Sequence, residues 1–281
     1  MRGVIKRIWL RPKVFLIPLF LICIFNLLFQ KQIFERNMTE STSLADILTY
    51  QFNTYFYIHL FFLPAFIIES VSFFCESKFT EFTMTRSTDR KSYFIYKEKE
   101  LFIFTFLYRL VEIIVSSIIF ILSYLPHSLN LNTFSLTSII QRLLFVSPKT
   151  MLEMASILVC VQLLIFLYYL FFAHIILYAD CHIGNITVAA GIAIAMDFVL
   201  LVMIKANYWF EDSFLLQLLP HHNTFLEYVF AKPETYYNFE RILIAIVYWI
   251  VIGIAMNIAV YKGIKSKDFV YSFDSSEREI V

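Results

Sequence analysis

Residues 155–179 read ASILVCVQLLIFLYYLFFAHIILYA, residues 180–185 read DCHIGN, and residues 186–204 read ITVAAGIAIAMDFVLLVMI. Each apolar run is long enough to cross a bilayer core as a helix, which takes about 17–25 residues. The runs are continuous rather than alternating, so neither is a half-buried strand. In lipid every backbone N–H and C=O needs a partner within the protein, and a helix supplies it locally. The stretch therefore reads as two membrane-crossing helices joined by a tight turn.

Working outward, four more stretches have the same character. The chain is expected to be an all-α integral membrane protein, a single transmembrane domain over residues 1–281. Its six spans are placed at about 14–30, 53–74, 101–125, 155–179, 186–204 and 242–261. Composition agrees. Of 281 residues, 59% are hydrophobic and only 16% charged, and 32 are Phe and 17 Tyr. The mean hydropathy is +0.71. A soluble fold of this size cannot hide that much apolar surface. A soluble enzyme, a disordered tail and a secreted disulfide scaffold are excluded.

The net charge is +1, but the distribution of Lys and Arg is lopsided. The N-terminal segment has five, the second loop six and the C-terminal tail four, while the Asp180–Asn185 turn has none. The first, third and fifth loops have two, two and three. Alternate sides of the membrane thus hold fifteen and seven, with Arg109 inside a span. The basic side is the cytoplasm, so both termini are expected inside a multi-pass cell-membrane protein. The first span has no small-residue cleavage site after it and reads as uncleaved. Cys23 and Cys160 lie in spans, and Cys75 and Cys181 lie on the inner side, so no disulfide is expected.

Two soluble segments stand out. The inner loop, residues 75–100, carries a short amphipathic stretch with Phe79 and Phe82 on one face, then a polar run in which Thr88 or Asp89 can cap the next helix. The outer loop, residues 205–241, stays apolar. It reads as a short helical hairpin broken at Pro220–Asn223 and dipping into the outer leaflet. In the fifth span Ala189, Gly191, Ala193 and Ala195 allow close helix approach. The fifth and sixth spans are therefore expected in the bundle interior, with the Phe- and Ile-rich spans facing lipid.

Ionisable groups within spans are costly and need partners. Asp197 is either part of a substrate or proton path or a carboxyl bonded to a neighbouring helix. Arg109 and Glu112 share one helical face and form either a gate or a structural ion pair. Gln162, His174, Asn26 and Asn257 are read as helix–helix hydrogen bonds. Asp180, Cys181 and His182 are metal-capable types, but adjacent residues do not converge on one ion, and no metal site is assigned. The chain has no phosphate-binding Gly-rich loop, no His-Glu-x-x-His and no Gly-x-Ser-x-Gly. No catalytic residue is assigned.

The six-span layout, the segment from Glu76 to Ser92 with Lys99 at the next span, and Leu219-Pro220 in the outer loop with the Lys265-Ser266-Lys267-Asp268 tail together resemble a known pattern. The chain is similar to the permease subunit of type-2 ABC exporters, the class handling drugs, bacteriocins or polysaccharides. It lacks the Gly and Pro usual in the family's inner loop. The resemblance implies an export function without enzyme activity on this chain. Two permease subunits, alike or related, would dock on separate ATP-binding-cassette ATPases that hold ATP and Mg. Glu76, Phe79, Glu81, Phe82, Arg86, Asp89 and Arg90 would couple to the ATPase, with Asp180 and His182 adding contacts. Tyr55, Tyr57, His59 and Asp197 would line the path of an amphipathic cargo such as an antimicrobial peptide, at the interface between the two permeases. No nucleic acid is implied. Rival readings are a stand-alone immunity or receptor protein and a proton-coupled secondary transporter using Asp197.

Overall fold

The computed structural model describes residues 24, 58–74, 90–124, 151–183, 185–207, 218–225 and 239–266. The first expected span lies outside these apart from Ile24, as do most of the inner loop and most of the outer one. Among the described residues every regular element is helical. A π-helical turn, Ile58–Phe62, leads into α1, Leu63–Phe74. Then come α2, Arg90–Tyr124; α3, Met151–Ile183; and α4, Ile186–Asn207. A 3-10 turn, Pro220–Asn223, precedes α5, Phe239–Ser266.

Three helices are long and apolar enough to cross a membrane, over Arg90–Ile119, Leu158–Ile183 and Ile242–Lys265. Two shorter apolar helices cover Ile58–Val71 and Thr187–Met203. These describe a helical, membrane-embedded protein. The helix α2 begins at Arg90, so the expected inner loop is shorter than its assigned 75–100 by its last eleven residues. The α2 helix has 35 residues, about 52 Å at 1.5 Å per residue, against a hydrocarbon core of about 30 Å. The helix continues into the polar region with Tyr93 buried on the same face as Lys97, Glu100 and Phe104. The turn after α3 ends where Asn185 caps α4. Its Oδ1 accepts the backbone N–H of Thr187 at 3.0 Å and of Val188 at 3.2 Å, the usual way to satisfy free N–H groups at a helix start.

The centre of the bundle is α3. It packs against α1, α2, α4 and α5. Its Tyr168, Tyr169, Phe172, Ala173 and Ile176 are fully buried. Phe66 of α1 reaches it edge-on and tilted, with ring centroids 4.8 Å from Tyr169 and 5.1 Å from Tyr108 of α2. Tyr168 and Phe171 both meet Trp249 of α5, with centroids 5.9 Å apart. The outer surface is apolar. On α2, Phe102, Phe106, Leu110, Ile114 and Ile118 recur every four residues and are about half exposed. On α5, Val247, Ile250, Val251, Ile254 and Ile258 share one helical face and are also about half exposed. Such a surface suits lipid rather than water.

The expected placement of small and aromatic residues changes in part: Ala189 and Ala193 of α4 are buried and the Phe- and Ile-bearing stripe of α2 is exposed, but Gly191 and Gly253 are not packed. The Phe- and Tyr-rich α3 is the core, and α5 lies at its edge. A Cβ added at Gly191 or Gly253 would meet nothing within 4 Å, whereas one at Gly263 would meet His182 Nε2 at 3.0 Å and Cys181 Cβ at 3.3 Å. Of these three glycines only Gly263, at the end of α5, sits in close contact with a neighbouring helix. Gly191→Ala and Gly253→Ala should be neutral or stabilise by up to about 1 kcal/mol. Gly263→Leu should destabilise by about 1–3 kcal/mol. Unfolding of the purified chain in detergent, read by circular dichroism, checks all three.

Candidate functional site

Helix α2 is amphipathic in the sense suited to lipid, because its polar groups point inward. Arg109, 3% exposed, and Glu112, 1% exposed, form a salt bridge one turn apart. Arg109 Nη2 also donates to Gln162 Oε1 of α3 at 2.7 Å, and its guanidinium lies 5.3 Å from the centroid of the Tyr169 ring. Tyr169 donates its hydroxyl hydrogen to Glu112 Oε1 at 3.3 Å. The ion pair anticipated from spacing is thus a four-residue knot between α2 and α3. Arg109 is not snorkelling to an interface. It is held by planar acceptors on two sides, which suits a guanidinium better than an ammonium.

A second cluster joins residues far apart in sequence. His59, in the π-helical turn, pairs through Nδ1 with Asp197 of α4, and both are buried. Its Nε2 lies 3.4 Å from the Tyr168 hydroxyl of α3. Phe225 covers the imidazole with ring centroids 5.6 Å apart. The segment carrying Phe225 is tied to α5, where Trp249 Nε1 donates to Asn223 O and Tyr248 OH to Leu218 O, each at 2.9 Å. A π-turn adds one residue to the helical repeat, and such turns concentrate at functional positions. Here it coincides with the His59 contact. The two path candidates are therefore brought together in the interior of one chain. Tyr55 and Tyr57 lie outside the described residues.

A third group gathers toward the end of the bundle where α2 begins and α3 and α5 finish. Lys97 Nζ donates to Glu100 at 3.2 Å and to Phe74 O, the last carbonyl of α1, at 3.4 Å. His174 of α3 meets Glu98 of α2 at 3.0 Å. At the very end, Arg90 donates to the backbone carbonyl of Lys265, near the C-terminus of α5. His182 packs on Tyr178 with centroids 4.3 Å apart and touches Gly263 of α5. Asp180 is half-buried one turn before the end of α3. Of the nine coupling residues named from sequence, Arg90, Asp180 and His182 thus lie at the joined ends of α2, α3 and α5. Glu76, Phe79, Glu81, Phe82, Arg86 and Asp89 lie outside the described residues.

Among the described residues no three His, Cys, Asp or Glu side chains converge as a metal site. Of the polar residues expected to bond between helices, Gln162 and His174 do so. Asn257 instead donates to Gly253 O of its own helix at 2.9 Å, and Asn26 is outside the described residues. Sequence reasoning passes over Glu69, which is 6% exposed. It carries the same signal as Asp197, a carboxyl within an apolar run. It also passes over Lys97, Glu98 and Glu100, whose charges suggest loop rather than core.

No protein-family model matches the chain, and no curated protein or solved structure shows significant similarity to it.

Removing one member of a buried ion pair leaves a charge without a partner. Arg109→Gln should therefore destabilise by about 3–5 kcal/mol, while the double variant Arg109→Gln/Glu112→Gln recovers much of that loss. A double-mutant cycle on unfolding in detergent measures the coupling.

Proposed function

We propose that this chain is a permease subunit of an ATP-driven exporter, with ATP bound and hydrolysed by a separate subunit. The observation that carries the reading is the shared end of α2, α3 and α5. Arg90 reaches Lys265 of α5, and His182 reaches Gly263 two residues before it. A partner pressing on Arg90, on the Asp180–Ile183 end of α3 or on the end of α5 would meet one joined body. From there α2 runs without a break to Tyr124. A push at its inner end would be delivered directly to the Arg109–Glu112–Gln162 knot. Six spans, cytoplasmic termini and a paired permease belong to this proposal. The cargo class is amphipathic, in keeping with an apolar bundle that carries a few buried polar groups.

A second reading is favoured by one contact. The buried His59–Asp197 pair with Tyr168 is a chain of proton-carrying groups, as a proton-coupled carrier requires.

Purification from the native membrane in mild detergent separates the two. The exporter reading expects stoichiometric recovery of a soluble nucleotide-binding subunit, lost on Arg86→Glu or Asp89→Lys while the chain still inserts. Recovery of the chain alone, with transport unaffected by those substitutions and abolished by Asp197→Asn, contradicts it and supports the carrier.

A further inference from the structure

The two histidine–carboxylate contacts differ in a way that fixes their proton content. A neutral imidazole has one N–H and one lone pair. At His59, Nδ1–H donates to Asp197, and the Tyr168 hydroxyl is free to donate to Nε2. No extra proton is needed there. At His174 both partners are acceptors. Nδ1 lies 2.7 Å from the backbone carbonyl of Leu170, which only accepts, so Nδ1 carries hydrogen. Nε2 then presents a lone pair to Glu98 Oε2 at 3.0 Å. Two lone pairs held at that distance repel. A proton between them turns the contact into a charge-assisted hydrogen bond.

Turning the ring over does not remove the requirement. It would place carbon atoms against both Leu170 O and Glu98 and forfeit both bonds. The site is also shielded, with the His174 side chain 4% and the Glu98 side chain 18% exposed. Glu98 Oε1 is buried and has no hydrogen-bond partner among the described residues. A bare carboxylate beside a neutral ring would leave an uncompensated negative charge there, which is costly. The surrounding charges do not supply the compensation by direct contact. Lys97 is engaged with Glu100 and Phe74 O. Glu69 of α1 is itself acidic, Asp180 lies further along α3, and Lys262 of α5 is exposed. On α4 no titratable side chain precedes Asp197.

We infer that Glu98 and His174 form a proton-binding site that holds one proton between α2 and α3. The proton resides on the imidazole, giving an imidazolium–carboxylate pair, or on the carboxyl, giving two neutral groups. Either way the pair carries no net charge. Deprotonation would leave two facing acceptors and unfasten this part of α2 from the core helix. The site is separate from the His59–Asp197 pair, and the inference does not rest on the exporter reading.

Ring nitrogen NMR on the purified full chain in lipid nanodiscs, with 15N-labelled histidine, reads the site directly. The signal missing from His174→Gln is that of His174. If that variant fails to insert, the signal altered by Glu98→Gln serves instead, because Glu98 is the carboxylate that His174 touches. Infrared spectra of the parent and Glu98→Gln report whether a protonated carboxyl is present. At pH 7 the expected result is one of two forms. His174 has hydrogen on both ring nitrogens, or it has hydrogen on Nδ1 alone together with a carboxylic acid band that Glu98→Gln removes. In Glu98→Gln the ring should be neutral with hydrogen on Nδ1, since the amide now donates to Nε2, a loss of one proton per chain. A parent protein with hydrogen on Nδ1 alone and no such acid band overturns the inference. So does hydrogen on Nε2 alone.

Discussion

Lipid offers no hydrogen bonds, and this constraint organises the bundle around α3. Several polar side chains in the apolar helices find partners on one another, whereas Asn257 and Ser116 bond to carbonyls of their own helices. Arg109 and Glu112 of α2 reach Gln162 and Tyr169. His59 and Asp197 meet beside Tyr168. Glu98 reaches His174. All three clusters use a residue of α3, and the lipid-facing stripes of α2 and α5 are what remains on the outside. The arrangement inverts the soluble pattern, in which the apolar face turns inward and the charges turn out. An α-helix that places Tyr, Gln and His on several faces is a natural core for it, because each face can satisfy a different neighbour.

Much of the architecture was legible in the sequence because hydropathy is additive along a helix. The long apolar runs and the Arg109–Glu112 pair follow from spacing alone, whereas the turn expected over 180–185 is shorter, because α3 continues to Ile183 before α4 starts at Ile186. The packing order did not follow. The small residues of the fifth and sixth expected spans suggested two buried helices; Ala189 and Ala193 are indeed buried, but Gly191 and Gly253 face open space. Phe and Tyr on α3 suggested lipid contact, yet their rings fill the centre. Aromatic residues suit both lipid and a packed interior, so composition does not decide between them. Contacts between distant residues were equally hidden. Asp197 signalled the need for a partner without saying that the partner stands 138 positions away. Lys97, Glu98 and Glu100 read as loop because helix α2 extends beyond the apolar run, and only folding shows that these charges turn toward α1 and α3.

The two ends of the bundle differ in construction. At the end where α2 begins, helix termini are joined through backbone groups, by Arg90 to Lys265 O and by Lys97 to Phe74 O. At the other end a short irregular segment, Leu218–Phe225, is fastened to α5 and lays one aromatic ring over the His59–Asp197 pair. Joined helix ends transmit force as a body, whereas the Leu218–Phe225 segment reaches α5 through Tyr248 and Trp249 and packs Phe225 on His59 and Tyr168.

The central claim is that the polar contacts are made within one chain, around α3, and not across an interface between two copies. Paired cysteines at the His59–Asp197 contact test it most directly. With His59→Cys and Asp197→Cys in a background freed of the native cysteines, mild oxidation in membranes should give an intrachain disulfide. The band should remain that of a monomer. Two single variants should not cross-link when mixed. A crosslink that appears only between chains, or none at all in folded protein, would contradict the account.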